Sequence, residues 1–167
     1  MSTSPESPEW IRALRTVPGA PPGLTFWEGA WCVAGESHGG EVRVFVCCPE
    51  GEAPSRAQAA FCAEIEAVAG ACLARARRFL ASEIAASPEA FGLGRDQAQS
   101  LLEVPDEQLP FGGPELTFYE PQTWLVRFTE TRALRCAELG IGVDFEAQTP
   151  VRAHCLDEDA EGGSVEP

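Results

Sequence analysis

The sequence predicts a single α+β domain. In this domain an antiparallel sheet, made of an N-terminal hairpin and three or four C-terminal strands, carries one long helix packed on one face. Two observations lead to this fold class. Strand-like segments with alternating apolar and polar residues fall into two groups, and a helical stripe of apolar residues separates the groups. Strands and helices do not alternate regularly along the chain, which favours the α+β class over the parallel sheet of α/β proteins.

The N-terminal hairpin is predicted over residues 24–34 and 41–48. The first segment is rich in aromatic residues, and the second alternates, with its valines on one face. The glycine-rich segment 35–40 between them fits a hairpin loop. A short helix over 8–15 is expected before the hairpin, because Ser7-Pro8-Glu9 is a typical helix start.

The long helix is predicted from Ser55 to about Ala86. Ser55 and Gln58 have the spacing of a capping box, and no proline interrupts the segment that follows. Its one glycine, Gly70, fits a bend or a close packing contact. Apolar side chains recur there at a spacing near 3.6 residues and form one stripe. A helix of about 31 residues would span roughly 46 Å at 1.5 Å per residue. A shorter helix is expected over 96–102.

The C-terminal strands are predicted over 115–120, 123–129, 139–146 and 150–156. The second of them alternates strongly, with its large apolar residues on one face. Residues 147–149 separate the last two strands and fit a tight turn. These segments are the sheet partners that the long helix needs in order to bury its apolar stripe.

Composition divides the chain into one domain and two tails. Hydrophobic residues make up 44% of the 167 residues, which is normal for a globular protein. We predict a domain over 8–156, a disordered N-terminus over 1–7 and a disordered acidic tail over 157–167. The chain has no Lys and no Asn, both of which have AT-rich codons, and this favours a GC-rich bacterial genome.

The net charge is −14, from 26 acidic and 12 basic residues. This charge argues against nucleic-acid binding, which needs a basic patch, and against adhesion to anionic membranes. It favours a basic protein partner, because complementary charge speeds association.

The sequence also predicts a cytoplasmic protein. It has no transmembrane-length apolar stretch and no apolar signal core near Met1. The seven cysteines are odd in number and irregular in spacing, so we expect mostly buried thiols.

No catalytic residue is predicted. Residues 35–39 match G-x-S-x-G around Ser37, but a strand rather than a helix is expected after them, which is not the context of a hydrolase nucleophile. A Cys–His pair would have to use His38 or His154, and no cysteine-protease signature surrounds any cysteine. A small hydrolase using Ser37 or such a pair is the alternative that an activity screen would test.

No metal site and no cofactor are predicted. The chain lacks a C-x₂-C pair, and the adjacent Cys47 and Cys48 would point to opposite faces of a strand. A site built from Cys136, His154 and a distant carboxylate is the weaker alternative. The phosphate-binding loop with its lysine is absent.

Partner binding is assigned to four acids around the C-terminal strands, namely Glu130, Glu138, Asp144 and Glu146. A solvated surface is the simpler interpretation of so many acids. The functional interpretation is an acidic docking surface for an Arg- or Lys-rich partner.

The C-terminal half resembles small acidic bacterial immunity-like proteins. The resemblance rests on residues 124–128 and on 138–145, which contain a Glu-x-Gly-Ile-x-Val stretch in the last hairpin. It implies a hairpin and a helix before that stretch, and a protein that neutralises a toxin or effector by occluding its active site without chemistry of its own. We expect a His before the glycine in such proteins, where this chain has Leu139, so no shared site is carried over. An accessory or scaffold subunit is a further alternative.

Overall fold

The computed structural model describes residues 13–36, 40–131 and 139–156. Within these ranges the chain forms one seven-stranded sheet whose strands follow each other in chain order. The strands are β1 (Arg15–Thr16), β2 (Leu24–Cys32), β3 (Glu41–Pro49), β4 (Phe111–Glu120), β5 (Thr123–Thr131), β6 (Ile141–Glu146) and β7 (Thr149–Cys155). The α+β class is therefore confirmed, but the sheet has seven strands rather than the five or six that were predicted.

The pairing of β3 with β4 also differs from the prediction. These two strands are parallel, with Arg43 opposite Glu115, whereas all other neighbours are antiparallel. Parallel strands need a long crossover connection. The helices between β3 and β4 form this crossover, which alternation of apolar residues alone could not reveal.

Two strands occupy segments that were predicted otherwise. β4 begins at Phe111 rather than at residue 115 and passes through Gly112, Gly113 and Pro114. Its pairing with β3 starts only at Glu115, so the proline lies where β4 is still an edge strand, and an edge tolerates a missing N–H donor. The helix expected over 8–15 does not extend to its predicted end, because residue 15 belongs to β1; residues 8–12 lie outside the described ranges.

The predicted long helix is two helices. They are α1 (Arg56–Glu66) and α2 (Ala69–Ala86), and their axes are bent by 77°. Seven strands at about 4.8 Å spacing give a sheet only roughly 29 Å wide, so a straight helix of about 46 Å would extend beyond it. The break lies at residues 67–68, directly before Ala69 and Gly70, and the bend lets both helices bury their apolar stripes.

The remaining helices are short. Helix α3 (Arg95–Ser100) confirms the helix expected near 96–102. Three 3₁₀ segments, Pro88–Phe91, Leu101–Glu103 and Asp106–Gln108, complete the connection to β4. Among the described residues, we find no single helix that has both the length and the apolar character to cross a bilayer.

The core lies between the helices and one face of the sheet. On that face Val44, Val126 and Phe128 are fully buried, as their alternation predicts. Helix α2 covers them with residues such as Leu73 and Leu80, which are also fully buried. We call the helix-packed side the covered face of the sheet and the other side the open face, because no described element packs across it.

Five of the cysteines within the described ranges are free thiols. Cys47, Cys48, Cys62 and Cys72 are buried, and Cys32 is exposed. Cys155 is disulfide-bonded. The expectation of mostly buried thiols is confirmed for four cysteines and is wrong for Cys155.

Candidate functional site

The acids that were predicted to bind a partner do not share one surface. Glu130 projects to the covered face, where a Cβ at Gly112 would lie 2.8 Å from its carboxylate. Asp144 and Glu146 belong to β6 and project to the open face, since they alternate with Val143 and Phe145, which are buried. Glu138 lies outside the described residues. The structure thus separates Glu130 from Asp144 and Glu146.

Glu130 borders a groove of about 560 Å³ beside helix α2. At its wall the guanidinium of Arg77 donates two hydrogen bonds to the carboxylate of Glu36, at 2.8 and 2.6 Å. Its Nε donates a third to the carbonyl of Phe111 at 3.0 Å. The side chains of Arg77 and Glu36 are only 14% and 7% exposed. This ion pair ties the segment after β2 to α2, which is a structural role.

The middle of the open face carries a charge network that spans four strands. Arg43 donates to Glu28 at 2.9 Å and to Glu115 at 2.8 Å, so it bridges β2 and β4. Arg127 lies 3.6 Å from the other oxygen of Glu115. The guanidinium of Arg43 also lies 5.0 Å from the ring centre of Phe45. Two arginines and two glutamates offset each other here, so this part of the open face is locally neutral.

One corner of the open face has a different character. There an exposed aromatic side chain and an exposed aliphatic side chain lie beside several carboxylates. Tyr119 is 43% exposed and Leu24 is 39% exposed, which makes them two of the few large apolar side chains on the described surface. We define the aromatic–acidic corner as Leu24, Phe26, Tyr119, Glu120, Asp144 and Glu146. Two of the four predicted binding residues therefore belong to one patch.

A β-bulge places Tyr119 and Glu120. The register between β4 and β5 shifts there, so that Phe118 pairs with Trp124 while Glu120 pairs with Thr123. One extra residue of β4 is thereby inserted at the edge of the corner. Bulges commonly re-aim side chains next to binding sites.

Gln58 fixes the backbone beneath the corner. Its Nε2 donates to the carbonyl of Cys47 at 3.0 Å and to that of Tyr119 at 3.3 Å. Its Oε1 accepts from the backbone N–H of Ser55 at 3.0 Å, which completes the predicted capping box. One buried amide therefore joins the start of α1 to β3 and β4 at the position of Tyr119.

Two strained turns border the same corner. Gln122 has φ +77° and Ala147 has φ +51°, and they are the non-glycine residues with positive φ within the described ranges. The N–H of Ala147 donates to the carbonyl of Gln122 at 2.7 Å, and the indole of Trp124 donates to the carbonyl of Ala147 at 2.7 Å. Backbone strain of this kind persists where surrounding structure fixes it and often accompanies function.

The phenol of Tyr119 and the buried thiols nearby stay neutral. Burial raises the pKa of Tyr119, and the carboxylate of Asp144 and the thiol of Cys47 raise it further. Burial also raises the pKa of Cys47, and raises that of Cys62, on the buried side of helix α1, to about 12. A nucleophile needs a lowered pKa. These thiols and this phenol are therefore packing and contact groups at neutral pH.

Most of the residues on which the catalytic and metal-binding alternatives depend lie outside the described ranges. Ser37, His38 and Cys136 lie outside them. His154 is on β7, as predicted, with its Nε2 3.6 Å from Asp144. Within residues 13–36, 40–131 and 139–156, no group of three or more His, Cys, Asp or Glu side chains could hold a metal ion.

Sequence reasoning found part of this site and missed its centre. It selected Asp144 and Glu146 because they fall around the C-terminal strands. It recognised Gln58 as a capping residue but not as the anchor of Tyr119, since that contact joins residues 61 positions apart. Pro121 and Gln122 mark a tight turn directly after Tyr119 and Glu120, and this was the local signal that could have directed attention to the bulge.

Comparisons with known proteins do not assign the chain to a family. No protein-family model matches the chain, and neither the curated proteins nor the solved structures contain a match to it.

Proposed function

We propose that this chain is a non-enzymatic, acidic partner-binding protein, namely an immunity or inhibitor protein. It neutralises a cognate basic toxin or effector by occluding the active site of that toxin. The observation that carries the proposal is the aromatic–acidic corner: exposed Tyr119 and Leu24 lie on a sheet face that no described helix covers, beside the carboxylates of Glu120, Asp144 and Glu146.

The apolar part of the corner supports a protein partner. Interfaces are built around aromatic anchors with a polar rim, and tyrosine is among the residues that contribute most binding energy. The corner reaches from β2 to β6, four strand spacings, or roughly 19 Å. That width accommodates a helix or a loop of a partner protein.

The charges of the corner support a basic partner. Neither Glu120 nor Glu146 forms an ion pair with a described residue. The arginines in the middle of the open face are already held by Glu28 and Glu115. Glu120 and Glu146 therefore present negative charge that no described side chain neutralises, whereas Asp144 lies 3.6 Å from His154 and opposite Arg152. The net charge of −14 adds a long-range attraction for a cationic surface.

We place this function in the cytoplasm of a bacterium. Five of the described cysteines remain thiols, the state that a reducing compartment maintains, and the disulfide of Cys155 is the exception. A toxin made in the same cell would meet its inhibitor there.

The test begins with affinity purification of the tagged protein from its own organism, followed by expression of each co-purifying protein alone. The expected partner is basic, stops growth when expressed alone, and is neutralised when this chain is co-expressed. The triple variant Glu120→Gln/Asp144→Asn/Glu146→Gln should lose that rescue. It should also slow association by about tenfold or more at low salt.

A matched control removes the same charge elsewhere. The variant Glu64→Gln/Glu83→Gln/Glu103→Gln changes three exposed acids outside the corner. It should keep the rescue and most of the association rate. If both triple variants rescue growth equally well, or if no co-purifying protein is toxic, the proposed function is wrong. An affinity that does not weaken as salt rises would contradict the electrostatic part.

A further inference from the structure

The fold contains the same three-part arrangement twice. On the covered face the guanidinium of Arg77 lies 5.4 Å from the ring centre of Phe128 while it holds Glu36 with two hydrogen bonds. On the open face Arg43 lies over Phe45, as described above, while it holds Glu28. In each case one planar cation stacks on an aromatic ring and is fixed by a carboxylate.

The aromatic–acidic corner exposes two of these three groups to solvent, namely an aromatic ring and carboxylates. The ring of Tyr119 is exposed, and Asp144 is close enough to act electrostatically on its phenol. Strand β6 runs two spacings from β4, so Tyr119 and Asp144 stand on backbones roughly 10 Å apart. Strand β5 lies between them, with Leu125 opposite Asp144. A guanidinium at the end of a long side chain can lie above β5, with its face on the ring and its edge toward the carboxylates.

An arginine side chain suits this position between the Tyr119 ring and the carboxylates better than a lysine side chain. A guanidinium is planar, stacks on aromatic rings and offers several donors that match a carboxylate, whereas an ammonium is a compact and strongly hydrated charge. The neighbouring Arg43 shows that the open face of this sheet accommodates such stacking at 5.0 Å from a ring centre.

We propose that the partner inserts an arginine side chain at the corner, with its guanidinium stacked on Tyr119 and paired with Asp144 or Glu146. This inference rests on the proposed function and names the chemistry of the contact. The partner is thus a protein whose docking segment contains at least one essential arginine.

The first measurement uses model side chains and the full-length protein. N-acetyl-arginine methylamide is titrated against the ¹⁵N-labelled protein by NMR, beside the lysine and citrulline analogues. The arginine compound should shift amide signals around Tyr119 and β6. The lysine compound should bind more weakly, and the uncharged citrulline compound should leave these signals unchanged.

Matched variants locate the contact. Tyr119→Leu keeps apolar area but removes the ring face, and it should weaken arginine binding by about threefold or more, while Tyr119→Phe keeps it. Phe45→Leu is the control, since Arg43 already covers that ring. Equal binding of arginine and lysine, or arginine shifts that Tyr119→Leu does not reduce, overturns the inference.

The two proposals fail in different ways. If a toxin is neutralised through the corner but its affinity is unchanged in Tyr119→Leu, the arginine inference is wrong and the proposed function stands. If the arginine compound binds at Tyr119 but the corner triple variant still rescues growth, the proposed function is wrong and an arginine subsite remains.

Discussion

Each face of the sheet carries an arginine–glutamate ion pair, and the two pairs differ in solvent exposure. On the covered face Arg77 and Glu36 are 14% and 7% exposed, whereas on the open face Arg43 and Glu28 are 53% and 37% exposed. Both arginines also stack on a phenylalanine ring. Burial, rather than the type of contact, therefore decides how strongly an ion pair of this kind holds the fold together.

Removing one carboxylate from each face should show the largest difference in stability between the two ion pairs. Glu36→Ala leaves the Arg77 guanidinium buried without its counter-charge, which should destabilise the fold by about 3 kcal/mol, because loss of one partner of a buried pair typically costs 3–5. Glu28→Ala should cost less than about 1 kcal/mol, since exposed pairs contribute little and Arg43 keeps Glu115. Urea unfolding at neutral pH measures both.

A companion double variant shows whether the Glu36 effect arises from the isolated charge. Replacing the pair together, as Glu36→Leu with Arg77→Met, should restore part of the stability that Glu36→Ala loses. If Glu28→Ala and Glu36→Ala cost the same, burial does not separate the two faces as argued.

The second prediction concerns the residue that connects the covered face to the aromatic–acidic corner. Gln58→Leu leaves two strand carbonyls and the N–H of Ser55 without the side-chain amide that bonds them, which should cost about 2 kcal/mol. The amide signal of Tyr119 should shift in NMR spectra, because its carbonyl loses a donor.

Gln97→Leu provides the matched control for Gln58→Leu. Gln97 also accepts from the backbone N–H of its helix cap, Gly94, at 3.2 Å, but it is exposed. Water replaces its hydrogen bond, so this variant should cost roughly 0.5 kcal/mol or less. A Gln97→Leu variant as unstable as Gln58→Leu would show that capping, and not the strand anchor, explains the loss.

Much of the covered face could be predicted from the sequence, and much of the open face could not. The alternating valines of β3 and the alternating residues of β5 identified the buried side of two strands, because burial follows a period of two. The capping box identified the start of α1, because it depends only on residues three apart. Each of these signals is local.

The failures share a non-local cause. The bend between α1 and α2 fits the helices onto a sheet that is narrower than one straight helix is long. The parallel pairing of β3 with β4 depends on where a 61-residue crossover returns the chain. The aromatic–acidic corner draws on β2, β4 and β6 together. Charge composition indicated a basic partner, but only the sheet register separates Glu130 from Asp144 and Glu146.

The smallest expected effect lies at the strained turn beside the corner. Gln122 has φ +77°, a conformation that costs a non-glycine residue roughly 1–2 kcal/mol but costs glycine little. Glycine also loses more entropy on folding, so Gln122→Gly should stabilise the protein by a net of about 0.5 kcal/mol. Thermal unfolding measures the gain. Gln148→Gly, in the neighbouring turn, is the control and should destabilise, because Gln148 has no positive φ to relieve.

The same substitution separates stability from recognition. The turn at Gln122 follows directly on the bulge that places Tyr119 and Glu120, so a more flexible backbone there should loosen the corner even as the fold gains stability. We therefore expect Gln122→Gly to unfold at a higher temperature and to bind the basic partner more weakly. A variant that gains both stability and affinity would mean that the strained turn does not organise the open face for binding.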